Sequence, residues 1–99
     1  MAQFDVMTVR STGELVVDCQ ANLLRHLPTR FVIPLFPLGM DLEPSQRLNP
    51  MFEIYDQSML LATQYAVSIP LVELQEANMN LERHSYEITG AIDVLISGI

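Results

Sequence analysis

The alternation of apolar and polar positions at the start of the chain predicts a β-hairpin. QFDVMTV at 3–9 alternates well enough for a first strand, and RSTGE at 10–14 supplies Ser, Thr and Gly for a turn. LVVDCQ at 15–20 then returns as the second strand, with Leu15, Val17 and Cys19 on one face. On that face we expect Cys19 to be a small core residue rather than a reactive thiol.

The middle of the chain predicts a β-rich segment, an irregular passage and a second hairpin. RFVIPLF at 30–36 is typical of a strand, but Pro34 donates no backbone hydrogen bond and indicates a sheet edge or a bulge. Three prolines make 37–50 the longest irregular segment. MFEIY, the turn DQS and MLLATQ predict a hairpin over 51–64, and SIPLVEL at 68–74 predicts a short final strand.

From Asn80 onward the apolar period changes to that of a helix. Asn80 is a suitable N-cap, and Glu82 lies in the first turn. One stripe is predicted to pack on the sheet, and it comprises Ile88, Ala91, Ile92, Leu95 and Ile99. Gly98 is expected to let the chain leave helical geometry. The last two turns carry more apolar surface than one core contact needs, yet periodicity alone also fits an ordinary core helix, so no function follows from it.

Composition and charge narrow the class of protein. The chain has 99 residues, enough for a single domain over 1–99, with 49% hydrophobic and 17% charged residues, as in globular proteins. Its net charge is −7 and it has no lysine, which opposes binding to a nucleic acid backbone. No apolar run is long enough to span a membrane, and no secretion signal is evident, so we expect a cytoplasmic protein without membrane or direct nucleic acid contact.

Candidate chemical sites are absent or weak. His26 and His84 have no ligands at metal-binding spacing, and no nucleophile elbow or phosphate-binding loop occurs. Arg25, His26 and Thr29 would suit acid–base cleavage of RNA, although such residues are common in polar loops. We therefore predict no catalytic residue, no metal and no cofactor.

Four segments together resemble the CcdB family of bacterial toxins that poison DNA gyrase. They are VVDCQANLL at 16–24, TRFVIPL at 29–35, SIPLVEL at 68–74 and AIDVLISGI at 91–99, in the family's order and with similar separations. The resemblance runs nearly end to end. It implies an SH3-like antiparallel β-barrel with a small extra sheet and a C-terminal α-helix, assembled as a two-fold homodimer.

The resemblance also implies a mode of action, and a protein that is not an enzyme. In the family, the paired helix ends form a patch that fits between two gyrase A subunits and holds the enzyme in its DNA-cleaved state, without catalysis. Matching the gyrase-binding positions onto this chain gives Leu23, Leu24, Asp93, Ile96, Ser97, Gly98 and Ile99. The best-known form of the pattern has Trp where Ser97 stands and an aromatic residue at position 96. Binding would therefore be weaker or depend more on the aliphatic side chains of Leu23, Leu24, Ile96 and Ile99.

A second partner is implied as well. Family members are neutralised by an antitoxin whose flexible C-terminal segment folds on the toxin, and the complex represses its own operon in plasmid maintenance. The positions matched to antitoxin binding are Arg10 in the first turn and Arg47 in the loop at 41–48. Two alternatives remain open: an mRNA-cleaving toxin on the same barrel, and a non-toxic chromosomal relative that only binds antitoxin.

Overall fold

The computed structural model describes residues 1–39, 42 and 44–98. In this part of the chain there are seven strands and one α-helix. They are β1 (Asp5–Val9), β2 (Leu15–Asp18), β3 (Thr29–Pro37), β4 (Met51–Ile54), β5 (Gln57–Leu61), β6 (Val67–Pro70), β7 (Leu74–Asn80) and α1 (Ser85–Ser97). Short 3₁₀ turns lie at Asn22–Leu24, Thr63–Tyr65, Leu71–Glu73 and Glu82–His84.

The strands form an antiparallel sheet that curves into a half-barrel. The α-helix α1 follows the last strand and is the C-terminal element of the described residues. The strand order is β4-β5-β3-β2-β1-β7, and β6 also pairs with β3. We call β6, β3, β2, β1 and β7 the main sheet, and β4 and β5 with the end of β3 the small sheet. This α+β architecture agrees with the predicted barrel, extra sheet and C-terminal helix.

Pro34 lies in the middle of the sheet, so the prediction of an edge or a bulge was wrong. It is paired with Val16 of β2 on one side. On the other side β3 pairs with β6 up to Val32 and with β5 from Leu35 onward. Pro34 therefore falls where β3 changes partner and no backbone donor is required. Its carbonyl still accepts a 2.8 Å hydrogen bond from the backbone N–H of Ala62.

The second hairpin is confirmed as β4 and β5, with its turn one residue earlier than predicted. Ile54 pairs with Gln57, so the turn is Tyr55 and Asp56. Both turn residues have positive φ angles, of 51° and 64°. Two consecutive left-handed residues match the twist of the flanking strands, which favours this type of two-residue turn although neither residue is glycine.

The end of the sheet differs most from the prediction. The segment predicted as one final strand is β6 followed by a 3₁₀ turn, and β7 continues to Asn80, where a helix had been expected to begin. Asn80 accepts a 2.7 Å hydrogen bond at Oδ1 from the Glu82 N–H, which forms an Asx turn at the end of β7, and it does not cap α1. The α-helix begins five residues later, at Ser85.

The core is closed by the first half of α1. Ile88 and Ala91 are fully buried in an apolar cluster that contains Val17 and Ile33 from the main sheet and residues of the small sheet, including Phe52 and Leu61. Ile92 is partly buried against the same cluster. Cys19 is also one of its members, which confirms its assignment to the core. A smaller apolar cluster on the other face of the main sheet comprises Met7, Val16, Val32 and Leu74.

Two isoleucines of α1 test this arrangement. We expect Ile88→Ala to lower the free energy of unfolding by about 2–5 kcal/mol, because it leaves a cavity in the core. Ile96→Ala is the matched control on the same helix, and its exposed position predicts a change within about 0.5 kcal/mol. Urea unfolding followed by circular dichroism measures both, and equal losses would contradict the described burial.

Candidate partner-binding site

The last turn of α1 leaves its apolar side chains uncovered within the chain. Ile96 is 78% exposed, and Leu95 is also exposed although it lies on the predicted core stripe. Ile96 follows Ile88 by eight residues, which places it about 12 Å further along the helix axis and rotated by about 80° from the buried face. The helix therefore presents Ile96 beyond the region that the sheet covers.

The helix ends in a well-defined C-cap. Gly98 has a φ of 74° and a ψ of 17°, and its N–H donates a 2.9 Å hydrogen bond to the carbonyl of Val94. This left-handed conformation ends the helix at Gly98, where the chain was predicted to leave helical geometry. The hydroxyl of Ser97 donates a 2.6 Å hydrogen bond to the carbonyl of Asp93, whose side chain is exposed. Ile99 lies outside the described residues.

A second exposed apolar element is the 3₁₀ turn at Asn22–Leu24, which we call the leucine turn. Leu23 is 85% exposed and Leu24 is exposed to a smaller degree. The turn belongs to the loop at 21–28, in which every residue is exposed. No hydrogen bond in the described part of the chain joins this loop to the end of α1. The structure of one chain thus displays the two predicted gyrase-binding regions on separate elements.

A buried ion pair lies beneath this loop. Asp18 and Arg30 are both buried, with 3.9 Å between the carboxylate Oδ2 and Nε. Burial raises the pKa of Asp18, although the hydrogen bond from the Gln20 N–H and the Arg30 guanidinium act in the opposite direction. Arg30 also donates a 2.9 Å hydrogen bond from Nη2 to the carbonyl of Arg25. The pair therefore links the base of the loop to β2 and β3.

The two arginines matched to antitoxin binding lie on different surfaces. Arg10 is exposed after β1, and its backbone N–H donates to the carbonyl of Glu73. Arg47 is also exposed, and it lines a cavity of about 210 Å³ beside α1. The same cavity is lined by Tyr86, Gly90 and Asp93. The structure thus brings together Arg47 and one residue matched to gyrase binding, Asp93.

Several residues that shape these surfaces were missed from the sequence. Asn49 is buried and donates a 2.9 Å hydrogen bond to the carbonyl of Leu61, which fixes the segment that carries Arg47. Gln20 and Asn22 make the corresponding contacts at the leucine turn. The sequence carries no signal for these contacts beyond the presence of amide residues near Leu23 and Arg47.

The residues considered for chemistry do not form a catalytic or metal-binding group in the described residues. No cluster of metal-ligating side chains occurs there. The ring of His84 packs near Phe52, with 4.7 Å between centroids, and its Nδ1 lies 3.2 Å from Glu87. Arg25 and His26 are exposed, and no hydrogen bond joins their side chains to each other or to Thr29 in this part of the chain. None of the described helices is long and apolar enough to cross a membrane.

Taken with the half-barrel and the exposed helix end, comparison with known families defines the class of protein. The chain is matched over residues 3–98 by the family model described as CcdB protein. This match covers nearly the whole sequence and confirms the predicted resemblance. The class is that of the toxins of toxin–antitoxin systems, whose CcdB members poison gyrase and are bound by antitoxins. The chain belongs to the CcdB family.

The buried thiol offers a chemical test of the structure. Burial, followed by the charge of Asp18, raises the pKa of Cys19 to about 12. With this pKa, the Cys19 thiol of the folded protein is almost wholly protonated at pH 8. Because the thiolate is the form that reacts, the folded protein should react slowly. We expect dithionitrobenzoate to react with the folded protein at least about a hundredfold more slowly than with the urea-unfolded chain. Similar rates in both states would contradict the burial of Cys19.

Proposed function

We propose that this chain is a gyrase poison that binds the gyrase A subunit dimer and traps the cleaved-DNA complex. The observation that supports the proposal best is the exposure of Ile96 at the end of a helix whose other half is fixed in the core. Leu23 provides a second exposed aliphatic group. Without a partner, the apolar surface of these side chains is exposed to water. Its burial in a cavity of a partner protein is favourable.

The strength of the proposed contact depends on aliphatic burial. Complete burial of one leucine or isoleucine contributes about 1.5–3 kcal/mol. Ser97 adds little apolar area, and its hydroxyl hydrogen already bonds to the carbonyl of Asp93. An aromatic residue there would supply stacking and a larger buried area. The proposal therefore assigns most of the binding energy to Leu23, Leu24, Ile96 and Ile99, with Asp93 and Gly98 at the edge of the contact.

Two further parts of the proposal follow from membership of the family. The active form is a homodimer, in which a two-fold axis presents every contact twice to the gyrase dimer. An antitoxin binds the toxin, neutralises it and represses the operon with it. Arg10 and Arg47 are exposed guanidinium groups that suit antitoxin carboxylates, through charge-assisted hydrogen bonds.

Substitution of exposed aliphatic side chains tests the gyrase contact. We expect Leu23→Ala and Ile96→Ala each to weaken binding to purified gyrase A by about tenfold, because each removes much of one buried side chain. Val72→Ala is the matched control, since Val72 is 82% exposed in the Leu71–Glu73 turn and outside the proposed contact.

Removal of Gly98 and Ile99 is expected to abolish toxicity while circular dichroism still shows a folded protein.

Expression in cells with sensitive or toxin-resistant gyrase separates the candidate functions. Growth arrest only in the sensitive strain supports gyrase poisoning. Growth of both strains would favour the alternative of a non-toxic protein that only binds antitoxin. Cleavage of RNA by the purified protein would favour the alternative of an mRNA-cleaving toxin. Full toxicity of the truncated chain would show that the proposed contact surface is wrong.

The antitoxin contact is tested by charge reversal. We expect Arg10→Glu and Arg47→Glu each to reduce the affinity of the cognate antitoxin segment about five- to fiftyfold, since each replaces an attraction with a repulsion. Arg83→Glu is the control, because Arg83 is exposed and lies outside both proposed surfaces. Isothermal titration calorimetry measures the three affinities, and equal effects at all three positions would indicate only a general effect of net charge.

A further inference from the structure

The leucine turn is held in place without help from its own apolar side chains. None of the residues in the Asn22–Leu24 turn is buried, so packing in the core does not fix the positions of Leu23 and Leu24. An exposed loop that lacks such packing normally samples many conformations. Polar contacts must therefore supply the order that this turn has.

Gln20 makes the contact that joins the turn directly to the sheet. Its Oε1 accepts a 3.0 Å hydrogen bond from the backbone N–H of Phe31, in β3. Its Nε2 donates a 2.9 Å hydrogen bond to the carbonyl of Leu24. One half-buried amide group thus spans the 3₁₀ turn and the central strand. The backbone N–H of Gln20 is itself fixed by a 3.1 Å bond to Oδ1 of Asp18.

The other polar contacts of the loop lie on either side of the leucines. Asn22 accepts a 2.9 Å hydrogen bond at Oδ1 from the Gln3 N–H, before them. Arg30 reaches the carbonyl of Arg25, after them. The carbonyl of Leu24 also accepts a 3.1 Å bond from the Leu27 N–H, but this bond is local to the loop. Among the described residues, Gln20 alone connects a leucine of the turn to a strand through a side chain.

We propose that Gln20 is a positioning residue for gyrase binding, which presents Leu23 and Leu24 in an ordered conformation before gyrase is met. This inference rests on the proposed function. Gln20 acts through the backbone of Leu24 and need not touch gyrase. A preformed turn loses less conformational entropy on binding than a mobile one, so the amide contributes to affinity although it lies outside the contact.

The substitution Gln20→Glu separates the two hydrogen bonds of this side chain. A glutamate carboxylate still accepts the Phe31 N–H, but it has no proton to donate to the Leu24 carbonyl. Gln75→Glu is the matched control for the added charge, because Gln75 is exposed on β7. Gln20→Met removes both bonds with a neutral side chain of similar length, and it replaces the glutamate variant if that variant does not fold.

The first measurement follows the loop itself and does not involve gyrase. Trypsin cleaves after Arg25, which is exposed in the loop, and after Arg10, which lies outside it. We expect Gln20→Glu to accelerate cleavage after Arg25 by at least about threefold, whereas cleavage after Arg10 stays at the parental rate. Mass spectrometry of the early products identifies the sites. Equal cleavage after Arg25 in the parent and the variant would overturn the inference.

The second measurement is the affinity for purified gyrase A. We expect Gln20→Glu to weaken binding about three- to tenfold relative to the parent and to Gln75→Glu, with antitoxin binding unchanged. If the parent binds gyrase and Gln20→Glu binds with equal affinity, the proposed role of Gln20 is overturned, while the proposed function is not affected. If the parent itself does not bind gyrase, the proposed function fails, and the role of Gln20 in gyrase binding fails with it.

Discussion

The burial of Ile88 and Ala91 between the inner faces of the two sheets is the interaction on which the rest of the structure depends. These side chains lie in one cluster with residues from the main sheet and the small sheet, so the helix packs against both sheets of the half-barrel. Their burial sets the direction of α1. Because the sheet does not cover the last turn, the same packing that fixes the helix leaves Ile96 exposed.

Much of the fold could be predicted from the sequence because apolar periodicity reports burial directly. The two hairpins and the buried part of the helical stripe follow from it, and the conformation of Gly98 follows from backbone sterics. The strand β7 could not be predicted in this way. Only Leu74 of its seven residues is buried, so its pattern resembles that of a polar loop. Asn80 was misleading because an asparagine side chain forms an Asx turn as readily as it caps an α-helix.

The candidate site was predictable to a smaller extent. Helical periodicity indicated an excess of apolar surface at the C-terminus, but it could not connect Leu23 with Ile96, since these residues lie on separate elements. The family resemblance supplied that connection. The contacts of Gln20 with Phe31 and of Asn49 with Leu61 join residues 11 and 12 positions apart, and only the tertiary fold brings them together. Pairings of this kind leave no periodic pattern in the sequence.

The two exposed apolar regions are stabilised by different kinds of interaction. The end of α1 is held by hydrophobic packing one to two turns earlier in the helix, which weakens only when the core itself is disturbed. The leucine turn is held by side-chain hydrogen bonds to backbone groups, each of modest net strength and open to competition from water. Under the proposed function, the turn is therefore the region where a small chemical change is expected to alter gyrase binding without unfolding the protein. If the proposed gyrase contact forms, the order of this turn is expected to carry a larger share of the affinity for gyrase, because Ser97 supplies no aromatic surface.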